Sequence, residues 1–141
     1  MHARRAILES IKTELKKLTG IGGVWIQRLP PTRIAYPCIT LYAETENTET
    51  LLIHPRPRVQ DRVITVAVVV WMQGSVIDEK IESDMDAAAV KIEQAMSSDF
   101  GADDVRLFAT DFSIGENDGD LHTLTLSYQI KYITRESNPE I

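Results

Sequence analysis

Few residues in this 141-residue chain could do chemistry, and their spacing counts against each reaction in turn. Cys38 is the one cysteine, so a thiolate nucleophile would need His2, His54 or His122 beside it as a base. The sequence places none of them there, and a strand cysteine next to Ile39 and Leu41 reads as buried and inert. The three histidines have no metal-ligand spacing. Glu116-Asn117-Asp118-Gly119-Asp120 resembles part of a calcium loop, but the downstream bidentate glutamate is missing and strand-like runs flank it. Asn and Gly in this order read instead as a hairpin turn. Gly20-Ile21-Gly22-Gly23 follows a helical run, whereas a phosphate cradle must precede one, so it reads as a connector. A glycine-flanked serine elbow, a paired-cysteine motif and a phosphate-loop lysine are all missing. The expectation is a non-enzymatic protein with no catalytic residues, no metal site and no cofactor.

One cluster stands apart. His54-Pro55-Arg56-Pro57-Arg58, with Arg62 beyond it, concentrates guanidinium groups on a segment stiffened by two prolines. As an ordinary hairpin tip it would be solvated. As a functional feature, His54, Arg56, Arg58 and Arg62 form a patch suited to pairing with acidic residues of a neighbouring subunit. The prolines would lower the ordering cost of that contact.

The elements that must position this patch follow from periodicity. Ile7, Leu8, Ile11, Leu15 and Leu18 recur at helical steps over Ala3–Thr19, with charged residues on other faces, and Gly20 sits where a left-handed residue closes a helix. Strands are predicted over Val24–Ile26 and Cys38–Tyr42, the second opened by Pro37. Glu44 to Arg58 loses the apolar pattern and reads as an extended hairpin tip or mobile loop. Arg62–Met72 is apolar on both faces, which implies a central strand or one whose outer face meets another subunit. Ser75 is a candidate cap for a second helix with a stripe of Ile77, Ile81, Met85, Ala89, Ile92 and Met96. Its acidic face from Asp78 to Asp86 reads as solvated surface. Two strands, Val105–Ile114 and Leu121–Thr134, finish the chain, the last with clean alternation. These elements predict a single α+β domain over 1–134, with two helices packed on one face of a mostly antiparallel sheet of about five strands. A disordered tail is expected over 135–141.

Composition narrows the class. The longest apolar run, Val66–Met72, is far short of the ~20 residues that a membrane-spanning helix needs. A formal net charge of −6 disfavours tight binding to duplex DNA. A lone cysteine and the lack of a leader-like stretch point to synthesis in a reducing, intracellular place.

Taken in order, Arg5-Ala6-Ile7-Leu8-Glu9-Ser10-Ile11, Pro37-Cys38-Ile39-Thr40-Leu41-Tyr42, the arginine-bearing loop into Arg62-Val63-Ile64-Thr65-Val66, the helix around Asp84-Met85-Asp86 and the closing Leu126-Ser127-Tyr128-Gln129-Ile130-Lys131-Tyr132 resemble the tail terminator family of long-tailed phages. The likeness is to the minor tail protein U group and related tail-completion proteins, and spans residues 3 to 134. It is a pattern of elements rather than a catalytic signature. It implies a homo-oligomeric ring, usually six-fold, that docks on the last tail-tube ring, stops polymerisation and presents a surface to the head connector or neck protein. It also implies assembly in the host cytoplasm before residence in the virion tail, with DNA passing through the ring without specific binding. A neck or head-tail joining protein is the nearest alternative. A small ligand-binding domain or enzyme is the alternative from another class, and would require a concave pocket with convergent polar groups.

Overall fold

The computed structural model describes residues 2–31, 35–50, 59–73, 80–98, 100–113 and 121–135. Helix α1 (Ala3–Leu15) is followed by β1 (Val24–Ile26), β2 (Cys38–Thr50), β3 (Val59–Gln73), α2 (Lys80–Ala95), β4 (Asp104–Ser113) and β5 (Leu121–Arg135). The five strands form one sheet in the order β1-β2-β3-β5-β4. Only the β1–β2 pairing is parallel; β2–β3, β3–β5 and β4–β5 are antiparallel. The predicted α+β class and element order stand.

Both helices lie on one side of the sheet. Ile7, Leu8, Ile11 and Leu15 of α1 and Ile81, Met85, Ala88 and Ile92 of α2 are buried against Ile39, Leu41, Ile64, Val66, Val68, Val70, Leu124, Leu126 and Ile130. Removing each such side chain from water contributes roughly 1.5–3 kcal/mol before the entropy of ordering it. The α2 stripe is rotated slightly from the predicted one. Ala88 is buried where Ala89 was expected, and Ala89 is half-buried; Ile77 and the Ser75 cap lie outside the described residues.

Two expectations are corrected. Helix α1 ends at Leu15 rather than Thr19; a turn then runs to Gly20, whose φ of 79° closes it as the glycine signal implies. More consequentially, residues 44–50 are not loop. They continue β2 antiparallel to β3, from Thr45 opposite Thr65 to Thr50 opposite Gln60. The polar composition misled because this half of the strand lies beyond the apolar parts of both helices. The hairpin tip carrying His54, Arg56 and Arg58 lies outside the described residues, as does the turn at 116–120. β4 and β5 on either side of that turn are paired, Ser113 opposite Thr123.

The connector between α1 and β1 is tight. The Gly22 amide donates to the Pro37 carbonyl at 2.7 Å, and the Ile39 amide to the Gly23 carbonyl at 2.9 Å. A Cβ on Gly22 would lie 2.2 Å from the Ala35 carbonyl oxygen, so glycine is required by close backbone approach. Gly22→Ala is expected to lower stability by about 1–3 kcal/mol through that overlap, measured as the shift in urea midpoint at constant m-value.

Candidate assembly surfaces and the polar cluster beneath them

The β2–β3 hairpin carries a bulge at Glu44, where the register shifts between Ala43 opposite Val66 and Thr45 opposite Thr65. One extra residue exchanges the faces of everything beyond it. Glu46, opposite Ile64, therefore stands on the helix side of the sheet rather than the open side. There it meets Arg62 and Tyr132, which are Cα partners across β3 and β5.

These residues form a compact ionic cluster under the first turn of α1. One Glu46 carboxylate oxygen accepts from the Tyr132 hydroxyl. The other accepts from Arg4 Nη1 at 2.7 Å and lies 3.7 Å from Arg62 Nη1. Arg62 also donates to Gln60 Oε1 at 3.1 Å, and its Nη1 is 2.9 Å from His2 Nε2. The side chains of Arg62 and Glu46 are each 14% exposed. Arg62, singled out by sequence as an interface candidate, is thus engaged within its own chain. It braces the base of the hairpin whose tip carries His54, Arg56 and Arg58. Tyr132 is held well above the usual phenol range, by burial first and then by its bond to the Glu46 carboxylate.

His2 caps α1 by accepting the Arg4 amide on Nδ1 at 3.0 Å. Arg62 can only donate, and a neutral imidazole has one acceptor nitrogen. The ring therefore satisfies the Arg4 amide or Arg62 at any moment, and a protonated ring satisfies neither. Burial pushes its pKa below 6.5; the positive charges of Arg4 and Arg62 act the same way, and Glu46 opposes them.

The other side of the sheet carries no helix among the described residues. Cys38, Ala67 and Val69 are buried there, outside the main core. Thr40 and Ser127 are buried with them. Trp71 donates from Nε1 to Thr40 Oγ1 at 2.9 Å, and Arg28 stacks 4.3 Å above the Tyr42 ring. Strand β3 is therefore central, and its second apolar face is partly covered by large neighbours on the same surface. Val63, Thr65 and Trp71 remain half-exposed.

The chemistry expected to be missing can be compared with the geometry. Burial pushes the Cys38 thiol up to about 11, so it is no ready thiolate. Its neighbour in β3 is Trp71, about 30 Å along the strand from the Arg62 that His2 touches. His122 lies opposite Met72 and so faces the helix side, away from Cys38. Among the described residues no group of three His, Cys, Asp or Glu could hold a metal ion, and no helix is long and apolar enough to cross a membrane. A cleft of about 390 Å³ between α2 and the turn that follows α1 is lined by Leu18, Met72 and Ile92, with Asp84 and Lys91 of α2 also on its wall.

The fold and surfaces described here define a single α+β domain with both helices on one side of its sheet and, among the described residues, no helix on the other. No family model and no curated protein matches the sequence. In structure the chain is similar to one chain of a solved structure described as the virion of the native gene transfer agent particle, with a TM-score of 0.62. The match covers 94% of this chain and 98% of that chain at 13% sequence identity, and is a likeness of fold.

Two outcomes test the cluster. Glu46→Ala is expected to cost about 2–3 kcal/mol in urea unfolding, because it leaves Arg62 largely buried without its carboxylate, whereas Tyr132→Phe is expected to cost about 1 kcal/mol. Because the folded pKa of His2 is depressed, its contribution to stability is complete above the ordinary value of 6.5 and is lost as pH falls from there through the folded value. Urea midpoints between about pH 7.5 and about pH 5 should decline less steeply in His2→Asn, which keeps a capping acceptor but does not titrate.

Proposed function

We propose that this protein is a structural, non-enzymatic component of a phage-type virion, and that its role is that of a tail terminator. The observation that carries this reading is the end-to-end match with a chain of a gene transfer agent virion, in which nearly the whole of both chains superposes. That whole-length likeness agrees with the order of sequence elements from Arg5 to Tyr132 that resembles the terminator family. In this role copies of the chain form a ring, a hexamer as in that family, on the last ring of the tail tube. The ring ends polymerisation and offers a surface to the head connector or neck protein. Assembly takes place in the host cytoplasm, and the product stays in the virion tail.

The physical requirements of such a ring are compatible with the molecule. A closed ring needs a heterologous contact, in which one surface of each copy meets a different surface of the next. The open sheet face around Val63 and Trp71 is one candidate surface. The hairpin tip with His54, Arg56 and Arg58, braced at its base by Arg62, is another. A net charge of −6 suits a channel through which DNA slides without sticking.

Electron microscopy of particles made after deleting the gene from its parent phage or prophage tests the role. Overlong tails without heads are expected. Tails of normal length lying apart from heads would move the role to head-tail joining, and unaltered virions would remove the protein from tail assembly altogether.

A further inference from the structure

The two edges of the sheet carry opposite charge, and they do so on the same side. Helix α1 packs on β1 and β2 and α2 chiefly on β3 and β5, while β4 is the outermost strand beyond α2. On the helix side of β4, Val105 and Leu107 are half-buried against the core, and the exposed ledge is the stretch beyond them, at Thr110 and Phe112. Phe112 stands on it, since its Cα partner Leu124 is buried in the helix-side core, and Phe112 is 53% exposed.

The charges flanking this ledge follow from the helical wheel. On α2, Asp84, Ala87 and Lys91 line the cleft towards α1. The opposite flank, the one beside β4, presents Glu82, Asp86 and Glu93, all exposed. Glu93 is near enough to Tyr128, a β5 residue opposite Leu107 of β4, to help burial hold that phenol up. The helices are antiparallel. α1 starts over Glu46 and Arg62, and its end leads to the Gly22–Pro37 contact, whereas α2 starts after Gln73 and ends before Asp104, whose partner is Lys131. For two antiparallel right-handed helices on one sheet, the outer flanks lie in the same rotational sense, about a quarter turn from the core stripe. On α1 that outer flank carries Arg5, Lys12 and Lys16, with Glu9 paired to Arg5 at 3.0 Å.

We propose that the Arg5–Lys12–Lys16 flank of one copy docks on the β4 ledge of the next, over Phe112 and against Glu82, Asp86 and Glu93. The occupant is therefore a second copy of this chain. The spacing supports it, because with α1 of the incoming copy antiparallel to α2, Arg5 faces Glu93, Lys12 faces Asp86 and Lys16 faces Glu82. The steps of seven and four residues match in order. If the sheet continues from β4 into the neighbour's β1, the two helices stand three strand spacings apart, about 14 Å. That exceeds the about 10 Å of directly packed helices and leaves room for the Phe112 ring and the long basic side chains. The contact is heterologous, so each copy presents one ledge and one flank. This inference rests on the proposed self-assembly and deepens it by naming the contact.

The test is sedimentation velocity of the purified full chain at low and high salt, with circular dichroism confirming that each variant is folded. Wild-type protein should associate at low salt and less at high salt. Lys12→Glu with Lys16→Glu, and separately Glu82→Lys with Asp86→Lys, should each weaken association by about tenfold or more. All four changes in one chain invert both partners and should restore it, while Phe112→Asp should weaken it without touching either charged row. Wild-type assembly that is insensitive to the charge reversals, or is not restored in the fourfold variant, would overturn this contact and leave self-assembly standing. Wild-type protein that stays monomeric at every salt and protein concentration would overturn self-association and this contact together. The tail phenotype of the gene deletion tests the terminator role independently of either result.

Discussion

Strand β3 is paired with β5 along its whole length, from Val59 to Gln73, and with β2 from Gln60 to Trp71. Residues Gln60 to Trp71 thereby lie in two ladders, and the register of β3 sets β2 and β5 directly and, through them, β1 and β4. The helix-side residues Ile64, Val66, Val68 and Val70 form the floor on which both helices rest. The opposite residues, Ala67 and Val69, are buried too, although among the described residues no helix lies over them.

The bulge at Glu44 turns this plain ladder into a shaped one. By moving Glu46 to the helix side it supplies the anion that Arg4, Arg62 and Tyr132 converge on, more than forty residues apart in sequence from Arg4 and more than eighty from Tyr132. A largely buried charge cluster of this kind adds little net stability compared with apolar packing, because desolvation offsets most of the attraction. Its value is positional. It fixes where the first turn of α1 meets the hairpin, and so fixes the direction in which the hairpin leaves the body.

The asymmetry of the helix layer follows from a mismatch in number. Two helices rest chiefly on four strands of a five-stranded sheet, so the edge strand β4 is covered at Val105 and Leu107 but leaves Thr110 and Phe112 exposed on its helix side. An exposed edge of ten residues with aromatic side chains is an aggregation hazard for a monomer. In the proposed assembly another copy would cover this edge. Both helices are amphipathic and carry opposite charge on their outward flanks, which would give the proposed association a direction.

The elements and their order were legible in the sequence because burial on one side leaves a periodic trace. Ile7 to Leu15, Ile81 to Met96 and Leu124 to Tyr132 follow steps that only a core-facing helix or strand requires, and the doubly apolar run from Arg62 to Met72 announced a central strand. The continuation of β2 through Glu44–Thr50 was not legible, since a strand whose inward face meets charges instead of side-chain hydrocarbon shows no apolar alternation. Nor was the role of Arg62, which looked like part of the exposed arginine patch and is instead held by Glu46 and His2. What the sequence by itself determined is which residues must leave water, because hydrophobic burial is read locally from residue type and period. What only the tertiary structure decided is which charges meet, because a single bulge selects the face for Glu46, and the antiparallel setting of two helices selects which flanks look outward.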